Sequence, residues 1–357
     1  MAKRPVVAIT GMNAKPDNPG PGMAVARCIK ESESFSGKII GLSYDALDPG
    51  LYRPHYCNAT YMLPYPSSGE EALLGRIKEI HAHENIDIFI PCLDAELQAV
   101  ARIKPELEEL GIKTLIPDQE QLKLRNKYNL PELARMAGIK TPGVTRVSSA
   151  GWFYDCHMEG WHYPLVVKGL FYDAKVANNA DEAAAAFHSI AAEWGLPILV
   201  QQFVEGEEVN LTAYGDGRGN MLGAVMMKKR AITDKGKAWA GISIDDKKLY
   251  DAAAALIKAA NWPGPLEVEV MLDTAGHYQL IEINPRFPAW IYLSVGVGRN
   301  LPAALVQTIM GDNPEFKQYH IGKLFIRYAE ELIVSLDEFE SIAINGFLAL
   351  NQESVAN

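Results

Sequence analysis

One stretch of the chain, residues 266–286, constrains the fold more than any other because it combines strand periodicity with regularly spaced polar residues. It reads LEVEVMLDTAGHYQLIEINPR, and aliphatic residues alternate with other residues in its first half: Val268, Val270 and Leu272. A second β-prone, largely apolar run covers residues 278–283, and the turn residues 275–276 lie between the two runs. The pattern predicts an antiparallel hairpin.

Three polar residues of this predicted hairpin have the spacing of a metal site. Glu282 and Asn284 are two residues apart and therefore share a face of their strand, and an antiparallel partner can bring Glu269 alongside them. An isolated surface glutamate is usually solvated, but ionised groups at the end of an apolar strand require a cation or a partner. Oxygen ligands without thiolate or imidazole suit Mg²⁺ held partly by phosphates. Arg286 adds an anion site.

Composition excludes several classes of function. A chain of 357 residues with 48% hydrophobic and 22% charged residues is typical of a globular enzyme of two or three packed units. The net charge of -10 argues against nucleic-acid or membrane partners, and no apolar stretch reaches about 18 residues. The four cysteines contain no C-x-x-C pair, which indicates neither a zinc site nor a disulfide framework. We therefore expect a cytoplasmic protein.

The first part of the chain alternates strands and helices. A short strand at residues 5–10 runs into a glycine-rich loop before a helix, although the glycines of that loop do not match the G-x-G-x-x-G spacing. Further strands and helices follow, and this alternation predicts a parallel sheet. Asp94 follows the strand IDIFIP and could contact a substrate there, but we expect it to be a helix N-cap.

The motif EINPR, preceded by a second acid at the right interval, resembles the magnesium-binding end of the ATP-grasp superfamily, in its carbamoyl phosphate synthetase-like branch. The resemblance implies an α/β, parallel-sheet pre-ATP-grasp domain, followed by a two-lobed α+β ATP-grasp fold. The expected units are the pre-ATP-grasp domain at 1–118, the small lobe with its connecting helix at 119–200, the large lobe with the metal site at 201–320, and a C-terminal strand, helix and tail at 321–357.

The resemblance also implies an ATP site. Lys127, in the helix that enters the small lobe, matches a nucleotide-contacting position, and Lys168, at the end of the strand YPLVVK, matches a lysine that pairs with phosphate oxygens. The family's glycine-rich loop over the phosphates is replaced here by GLFYDAKVANN, with Gly169 as its only glycine. We expect a short lid that uses Lys175.

The sequence ILVQQFVEGEEVNLTAY resembles the adenine-recognition linker of the family. The resemblance places the Gln201 side chain at the adenine amino group, the Gln202 and Val204 backbones at the base edge, and Glu208 at the ribose hydroxyls. A carboxylate suits that last position because it can accept from two vicinal hydroxyls at once. Without its context, the linker could equally be an ordinary hairpin with Gly206 in its turn.

A basic strand, GAVMMKKRAI, lies between the linker and the hairpin. Such runs are usually solvated, but alternation places Lys228 and Arg230 on one side, where they could face the γ-phosphate or an anionic substrate. The catalytic residues that the resemblance suggests are therefore Arg286, which would stabilise an acyl phosphate, together with Lys168 and Arg230. Four tryptophans lie in predicted loops, where packing against the body is more common than lining a pocket: Trp152, Trp161, Trp239 and Trp290.

Taken together, the motifs imply an ATP-dependent carboxylate-amine ligase that uses ATP and Mg²⁺, with Mn²⁺ as an alternative metal. An amino acid, peptide or small metabolite would supply the carboxylate, an amine would be the nucleophile, and the protein would be a homodimer. Carboxyphosphate or carbamoyl phosphate chemistry is an alternative, although a second ATP-grasp unit and the serine-rich stretch after NPR are missing. A second alternative is a non-catalytic nucleotide- or peptide-binding module. The missing glycine lid favours this alternative, and the complete metal triad argues against it.

Overall fold

The structure, a computed structural model, describes residues 4–15, 18–169, 173–234 and 236–350. Within these residues the chain forms three β-sheets, of five, six and four strands. One sheet is mainly parallel and the other two are antiparallel, which confirms the expected combination of α/β and α+β architecture. None of the helices in these ranges has the length and apolar character needed to cross a membrane.

The strands are β1 (Val6–Ile9), β2 (Lys38–Ser43), β3 (Ala59–Met62), β4 (Ile88–Ile90), β5 (Val144–Val147), β6 (Leu165–Lys168), β7 (Ala174–Ala177), β8 (Ile198–Gln202), β9 (Gly206–Asp216), β10 (Met221–Ile232), β11 (Ala238–Ile244), β12 (Pro263–Asp273), β13 (Tyr278–Asn284), β14 (Leu324–Ile326) and β15 (Phe347–Ala349). The helices are α1 (Gly22–Lys30), α2 (Glu70–Glu84), α3 (Asp94–Arg102), α4 (Lys104–Glu109), α5 (Gln119–Leu124), α6 (Leu130–Ala137), α7 (Trp152–Asp155), α8 (Ala180–Trp194), α9 (Lys247–Ala260), α10 (Leu293–Gly296), α11 (Leu301–Met310) and α12 (Leu336–Glu340).

The N-terminal sheet has the strand order β15-β3-β2-β1-β4. The strands β1 to β4 are parallel, as the alternation of strands and helices predicts. Three successive residues of β1 are fully buried, Val7, Ala8 and Ile9, as expected for a central strand with both faces covered. The predicted strand after residue 110 is reduced to an isolated bridge between Ile88 and Lys113.

The two antiparallel sheets each carry helices. In the four-stranded sheet, with the order β5-β8-β6-β7, helix α8 packs Phe187 and Ile190 against the strands. The six-stranded sheet has the order β13-β12-β9-β10-β11-β14. Alternate residues of β9 such as Leu211 pack with α9, and Val225 of β10 lies in the cluster that contains α11. Strand alternation thus places helices on both faces of the sheet that carries the predicted metal site.

The segment between the first two sheets contains two helices where the sequence suggests one. Asp118 caps α5 by accepting a hydrogen bond from the Gln121 backbone N–H at 2.8 Å, and α6 ends at Gly138 with a φ of 70°, both as expected. Pro131 at the start of α6 favours a new helix there, because proline supplies no backbone N–H. Lys127 therefore lies in a turn between α5 and α6, not within a continuous helix.

The C-terminal segment adds one strand to each of two sheets. β14 adds to the edge of the six-stranded sheet beside β11, and β15 pairs with β3 in the N-terminal sheet. Residues 347–349, expected in the tail, are therefore a strand that closes the first sheet. The proposed unit boundary at residue 200 lies within β8, and residues 351–357 of the expected tail are outside the described residues.

Gly264, at the start of β12, is a position where an alanine should destabilise the protein. Its φ is +73°, and a Cβ built there would lie 1.8 Å from the Leu115 carbonyl oxygen, so the backbone must move. We expect Gly264→Ala to cost about 2–4 kcal/mol of stability, because steric overlap adds to left-handed backbone strain. Thermal unfolding followed by circular dichroism measures the loss.

Gly276→Ala is the matched control for this prediction. Gly276 has a similar φ of +78° in the β12–β13 turn, but no atom lies within 4 Å of the added Cβ. The variant should therefore lose only the cost of the left-handed conformation, about 1–2 kcal/mol. Equal decreases in Tm for the two variants would contradict a steric contact at Leu115.

Candidate active site

The β12–β13 hairpin brings the three predicted metal ligands together. Glu269 lies directly opposite Glu282, and Glu267 lies directly opposite Asn284. The Asn284 Nδ2 donates hydrogen bonds to Glu269 Oε1 at 2.9 Å and to Glu267 Oε2 at 3.1 Å. Because the amide nitrogen contacts two carboxylates, the Asn284 Oδ1 is the atom that the amide can offer to a cation.

Glu267 is a site residue that the sequence reasoning missed. It is two residues before Glu269 and therefore shares its face, which is the signal that could have identified it. The buried carboxylate accepts hydrogen bonds from Asn210 Nδ2 at 2.9 Å and from Trp290 Nε1 at 2.7 Å. Burial and the neighbouring Glu269 raise the pKa of Glu267, although Arg286 partly offsets them.

The chemistry of these donors fits Mg²⁺. Two facing carboxylates and an amide oxygen are hard ligands, and Mg²⁺ usually completes its octahedral shell with water and phosphate oxygens. Among the described residues, no group of three His, Cys, Asp or Glu side chains is arranged to hold a metal by itself. Glu269, Glu282 and Asn284 are the residues that would hold the ion.

Lys229 compensates the negative charge of this site. Its ammonium donates a hydrogen bond to Glu208 and lies 3.7 Å from Glu269 Oε2. Burial alone lowers the pKa of Lys229, but the two carboxylates outweigh burial and the pKa is raised. For Glu208, burial dominates and raises the pKa to about 7, with Glu269 adding repulsion that Lys229 partly offsets.

The expected orientation of the basic strand is wrong. Lys229 occupies the face of β10 that points to Glu269, and the alternating neighbour Lys228 pairs with Glu207 instead. Arg230 is exposed at a β-bulge, because the pairing with β11 shifts between Lys229 and Ala231. A bulge adds one residue to one strand and re-aims side chains, and residue alternation alone does not predict it.

Two lysines from the other side of the cleft face the hairpin. Lys127 lies in the turn between α5 and α6, and its Nζ is 3.9 Å from Glu282 Oε1. Lys168, the last residue of β6, is half-buried, and burial lowers its pKa to about 8. The attraction of Glu282 and Glu269 only partly offsets this burial, and Lys127 adds repulsion.

The linker residues lie between the four-stranded and six-stranded sheets. Gln201 is buried in β8, while Gln202 is exposed and its Oε1 accepts a hydrogen bond from the Gly143 backbone N–H at 3.0 Å. Val204 is half-buried, and Glu208 belongs to β9 beside Lys229. The Gln202 and Val204 backbones thus lie where the chain crosses from one sheet to the other.

The expected short lid lies partly outside the described residues, since residues 170–172 are not among them. Gly169 donates a backbone hydrogen bond to Asp173 O at 3.1 Å, which closes the base of the loop. Lys175 is exposed on β7, and its Nζ donates a hydrogen bond to Ser189 Oγ of α8 at 3.1 Å. That contact orients Lys175 toward the helix.

Arg286 connects the hairpin to the N-terminal sheet. Its Nε donates a hydrogen bond to Asp94 Oδ2 at 2.7 Å, and Asp94 Oδ1 lies 3.4 Å from Arg125 Nη1. The expectation that Asp94 caps a helix is wrong, because its carboxylate is engaged with two guanidinium groups. Glu96 instead accepts from the Leu93 backbone N–H at 3.0 Å.

The charges explain this pairing. Burial raises the pKa of Asp94, but Arg286 and Arg125 outweigh burial and lower it overall. Burial likewise lowers the pKa of Arg286, whereas Asp94 and Glu267 raise it overall. Both groups are therefore charged, and Asp94 fixes the guanidinium beside Glu267.

An open pocket lies beside these residues. Its polar lining includes Lys229, Glu267, Glu269, Arg286 and Arg327. Trp290 forms part of the wall, so this tryptophan follows the less common of the two expectations for the loop tryptophans. The pocket thus adjoins Glu269, one of the predicted metal ligands.

Comparisons with known proteins bear on the fold. Residues 196–331 match the family described as ATP-grasp in the biosynthetic pathway with Ter operon. The chain is similar to the ADP complex of an N5-carboxyaminoimidazole ribonucleotide synthetase, with 15% identity and a TM-score of 0.69 over 91% of this chain and 81% of that one.

Two further solved structures are similar. A biotin carboxylase from Campylobacter jejuni has 18% identity and a TM-score of 0.68, covering 90% of this chain and 74% of that one. An L-amino acid ligase from Bacillus licheniformis has 17% identity and a TM-score of 0.64, covering 89% of this chain and 76% of that one. At this level of identity the similarity establishes the fold.

Proposed function

The chain has an ATP-grasp fold of the carbamoyl phosphate synthetase-like type, and from this premise we propose that it is an ATP-dependent carboxylate-amine ligase. Its substrates would be an amino acid, peptide or small metabolite that carries a carboxylate, and an amine. The fold is shared by proteins of different activities, so the proposal depends on the site.

The observation that carries the proposal is the meeting of opposite charges from two sheets. Lys168 on the four-stranded sheet and Lys127 in the preceding turn face Glu282 of the hairpin, with 3.9 Å between Lys127 Nζ and Glu282 Oε1. The lysines suit phosphate oxygens, and the carboxylates suit a cation. A metal-bound triphosphate would satisfy both sets of charges at once.

The proposed ligase reaction has two steps. A substrate carboxylate oxygen attacks the γ-phosphorus, the bond to the β-γ bridging oxygen breaks, and ADP leaves. The amine nitrogen next attacks the acyl carbon, loses a proton, and phosphate leaves with the C–O bonding pair. Mg²⁺, when bound to Glu269, Glu282 and Asn284, supplies charge neutralisation for the transferring phosphoryl oxygens.

The remaining residues would bind and orient the reactants. Lys127 and Lys168 would hold phosphate oxygens, and Gln201 would meet the adenine amino group. The backbones of Gln202 and Val204 would meet the base edge, and Glu208 the ribose hydroxyls. Lys229 takes the place of Arg230 as the β10 cation proposed for the γ-phosphate, because it lies 3.7 Å from Glu269.

Arg286 keeps its proposed role at the acyl phosphate. Its Nε is engaged with Asp94 Oδ2, and its Nη1 donates to Phe287 O at 3.2 Å. The group lines the pocket, so its remaining donor positions are the ones available to an acyl phosphate oxygen. Asp94 would hold the guanidinium in position for that contact.

Two alternatives have specific support. Carboxyphosphate chemistry is favoured by the similarity to biotin carboxylase structures, one of which contains MgADP and bicarbonate. A non-catalytic binding module is favoured by the single glycine, Gly169, at the expected lid. The ligase proposal has the support of an L-amino acid ligase among the similar structures.

An assay of ADP release, with the purified protein, ATP and Mg²⁺, tests these alternatives. The assay compares pooled amino acids, pooled dipeptides and bicarbonate, each with and without an amine pool. Stimulation that needs both a carboxylate pool and an amine supports the ligase. Stimulation by bicarbonate alone supports carboxyphosphate chemistry, and ATP binding without turnover in any pool supports the binding module.

Lys168→Met should reduce ADP release about a hundredfold, because one charge that stabilises the transferring phosphoryl group is lost. Methionine retains most of the side-chain volume without the ammonium. Lys247→Met is the control, since Lys247 pairs with Asp251 on an exposed face of α9. Equal rates for the two variants would remove Lys168 from the nucleotide site.

Cellular location and assembly are also part of the proposal. Four buried cysteines without disulfides support a cytoplasmic location. A homodimer is supported by a similar biotin carboxylase domain dimer from Hydrogenobacter thermophilus and by exposed apolar residues on the edge strand β14, Leu324 and Ile326. Sedimentation of the purified protein measures the oligomeric state.

A further inference from the structure

Arg327 is a cation that the proposed reaction leaves without a task. It follows β14 directly and lines the pocket beside Trp290. Its backbone N–H donates to Trp239 O at 2.8 Å, and its Nη2 donates to Ala289 O at 3.1 Å. The buried Nε has no hydrogen-bond acceptor among the described residues. A buried guanidinium with an unused donor is costly unless a ligand satisfies it.

The other pocket cations differ from Arg327 in their partners. Lys229 is paired with Glu208 and Glu269, and Arg286 is paired with Asp94. Lys237, which also lines the pocket, lowers the pKa values of Asp94 and Glu269. In the part of the chain that the structure describes, no carboxylate forms an ion pair with Arg327. Burial lowers the pKa of Arg327, and no acid offsets this effect. Arg327 is therefore a cation of this pocket whose charge no nearby acid neutralises.

Arg327 also comes from a different part of the sheet than the metal ligands. Four strand spacings separate β12 from β14, at most about 19 Å at the backbone before the sheet curls. Arg327 contacts Ala289 and stacks near the Phe325 ring, whereas Glu269 contacts Lys229 and Asn284. A substrate carboxylate that reacts beside Glu269 would therefore contact different residues from a second carboxylate beside Arg327.

We propose that Arg327 binds a second, non-reacting carboxylate of the acceptor substrate, so that the acceptor is a small dicarboxylic acid. This inference rests on the proposed ligase function for the identity of the acceptor. The planar guanidinium matches a carboxylate through two parallel N–H bonds, and the unused Nε supplies one of them. The apolar residues Pro288, Ala289 and Trp290 surround the carbon chain between the two acid groups.

Matched acid pairs test the proposal. Glutamate and glutamine, aspartate and asparagine, and succinate and butyrate differ mainly in the second carboxylate. We expect ADP release to be stimulated by at least one dicarboxylic acid with a KM roughly 10- to 100-fold below that of its partner. Arg327→Met should remove this difference by raising KM much more than it lowers kcat, and Arg327→Lys should restore part of it.

Binding measurements separate this inference from the proposed function. Calorimetry with a non-hydrolysable ATP analogue and Mg²⁺ measures the affinity of each acid without turnover. Tighter binding of a dicarboxylic acid to the wild type, lost in Arg327→Met, supports the subsite even if no acid is turned over. That combination would overturn only the ligase. No wild-type preference for any dicarboxylic acid would overturn the subsite.

Arg135→Met is the matched control for lost positive charge. Arg135 forms an exposed pair with Glu132 on α6, on the surface of the protein. This variant should keep the wild-type preference between the acids. Thermal unfolding of the Arg327 variants with ADP and Mg²⁺ identifies any variant that fails to fold. If Arg327→Met fails to fold, the preference between the acids is measured on Arg327→Lys instead. An unchanged preference in folded Arg327→Met would overturn the proposal.

Discussion

The double variant Glu282→Ala, Asn284→Ala is expected to lose at least about a thousandfold in ADP release, because it removes two of the three oxygen ligands of the hairpin. Glu282 also faces Lys127 across 3.9 Å and attracts Lys168. Its removal therefore leaves two neighbouring cations without their acidic partner. Initial rates over a range of Mg²⁺ concentrations measure the effect, and the Mg²⁺ requirement should rise.

Gln279→Ala is the control for this experiment. Gln279 lies on the same strand, but its Nε2 donates to Asp273 Oδ2 at 3.0 Å near the hairpin turn. The variant tests the strand without changing the site, and it should keep wild-type rates. Binding of Mn²⁺ in the presence of ADP, followed by electron paramagnetic resonance, provides a second measurement. Wild-type Mn²⁺ binding by the double variant would show that this hairpin does not hold the metal.

The features that were predictable from the sequence are local ones. Residue alternation predicts which side chains of β12 and β13 share a face of the sheet. It therefore predicts that Glu269 and Glu282 can lie opposite each other. A turn with glycine fixes the register over a few residues. The alternation of strands and helices likewise predicts the parallel N-terminal sheet. In each case neighbours along the chain carry the structural information.

The features that were missed depend on strand register or on distant contacts. The register of β10 with β9 places Lys229, and not Lys228 or Arg230, on the face that meets Glu208 and Glu269. Arg327 enters the pocket because β14 pairs with β11, some eighty residues earlier in the chain. Neither motif spacing nor composition encodes these packing arrangements, and a lone arginine in a sequence carries no indication of its partner.

The contact between Asp94 and Arg286 is the clearest case of such a long-range dependence. Asp94 starts α3 in the N-terminal sheet unit, and Arg286 follows the hairpin, 192 residues later. Their pairing ties the first sheet to the candidate metal site, and Arg125 shares the carboxylate at 3.4 Å. Asp94 thus has two functions that a helix cap does not have: it forms ion pairs with two guanidinium groups and it orients Arg286.

Asp94→Ala is therefore expected to lower stability by about 2–3 kcal/mol, because a largely buried guanidinium loses its hydrogen-bonded acidic partner and keeps only Glu267, at 4.0 Å. It should also reduce kcat about tenfold or more, since Arg286 loses its orienting hydrogen bond. Asp94→Asn keeps the size and one acceptor, and it should recover part of both losses. Thermal unfolding and ADP release measure the two effects separately.

Glu132→Ala provides the comparison for Asp94→Ala, because it also removes one acid from an arginine pair, but on an exposed helix face. No measurable change in Tm or in rate is expected there, since exposed pairs are solvated and contribute little. If Asp94→Ala behaves in the same way, the guanidinium of Arg286 must be held by other contacts such as Phe287 O. A loss of kcat without a loss of Tm would instead assign Asp94 to the orientation of Arg286 alone, and the connection between the sheets would then depend on their apolar contacts.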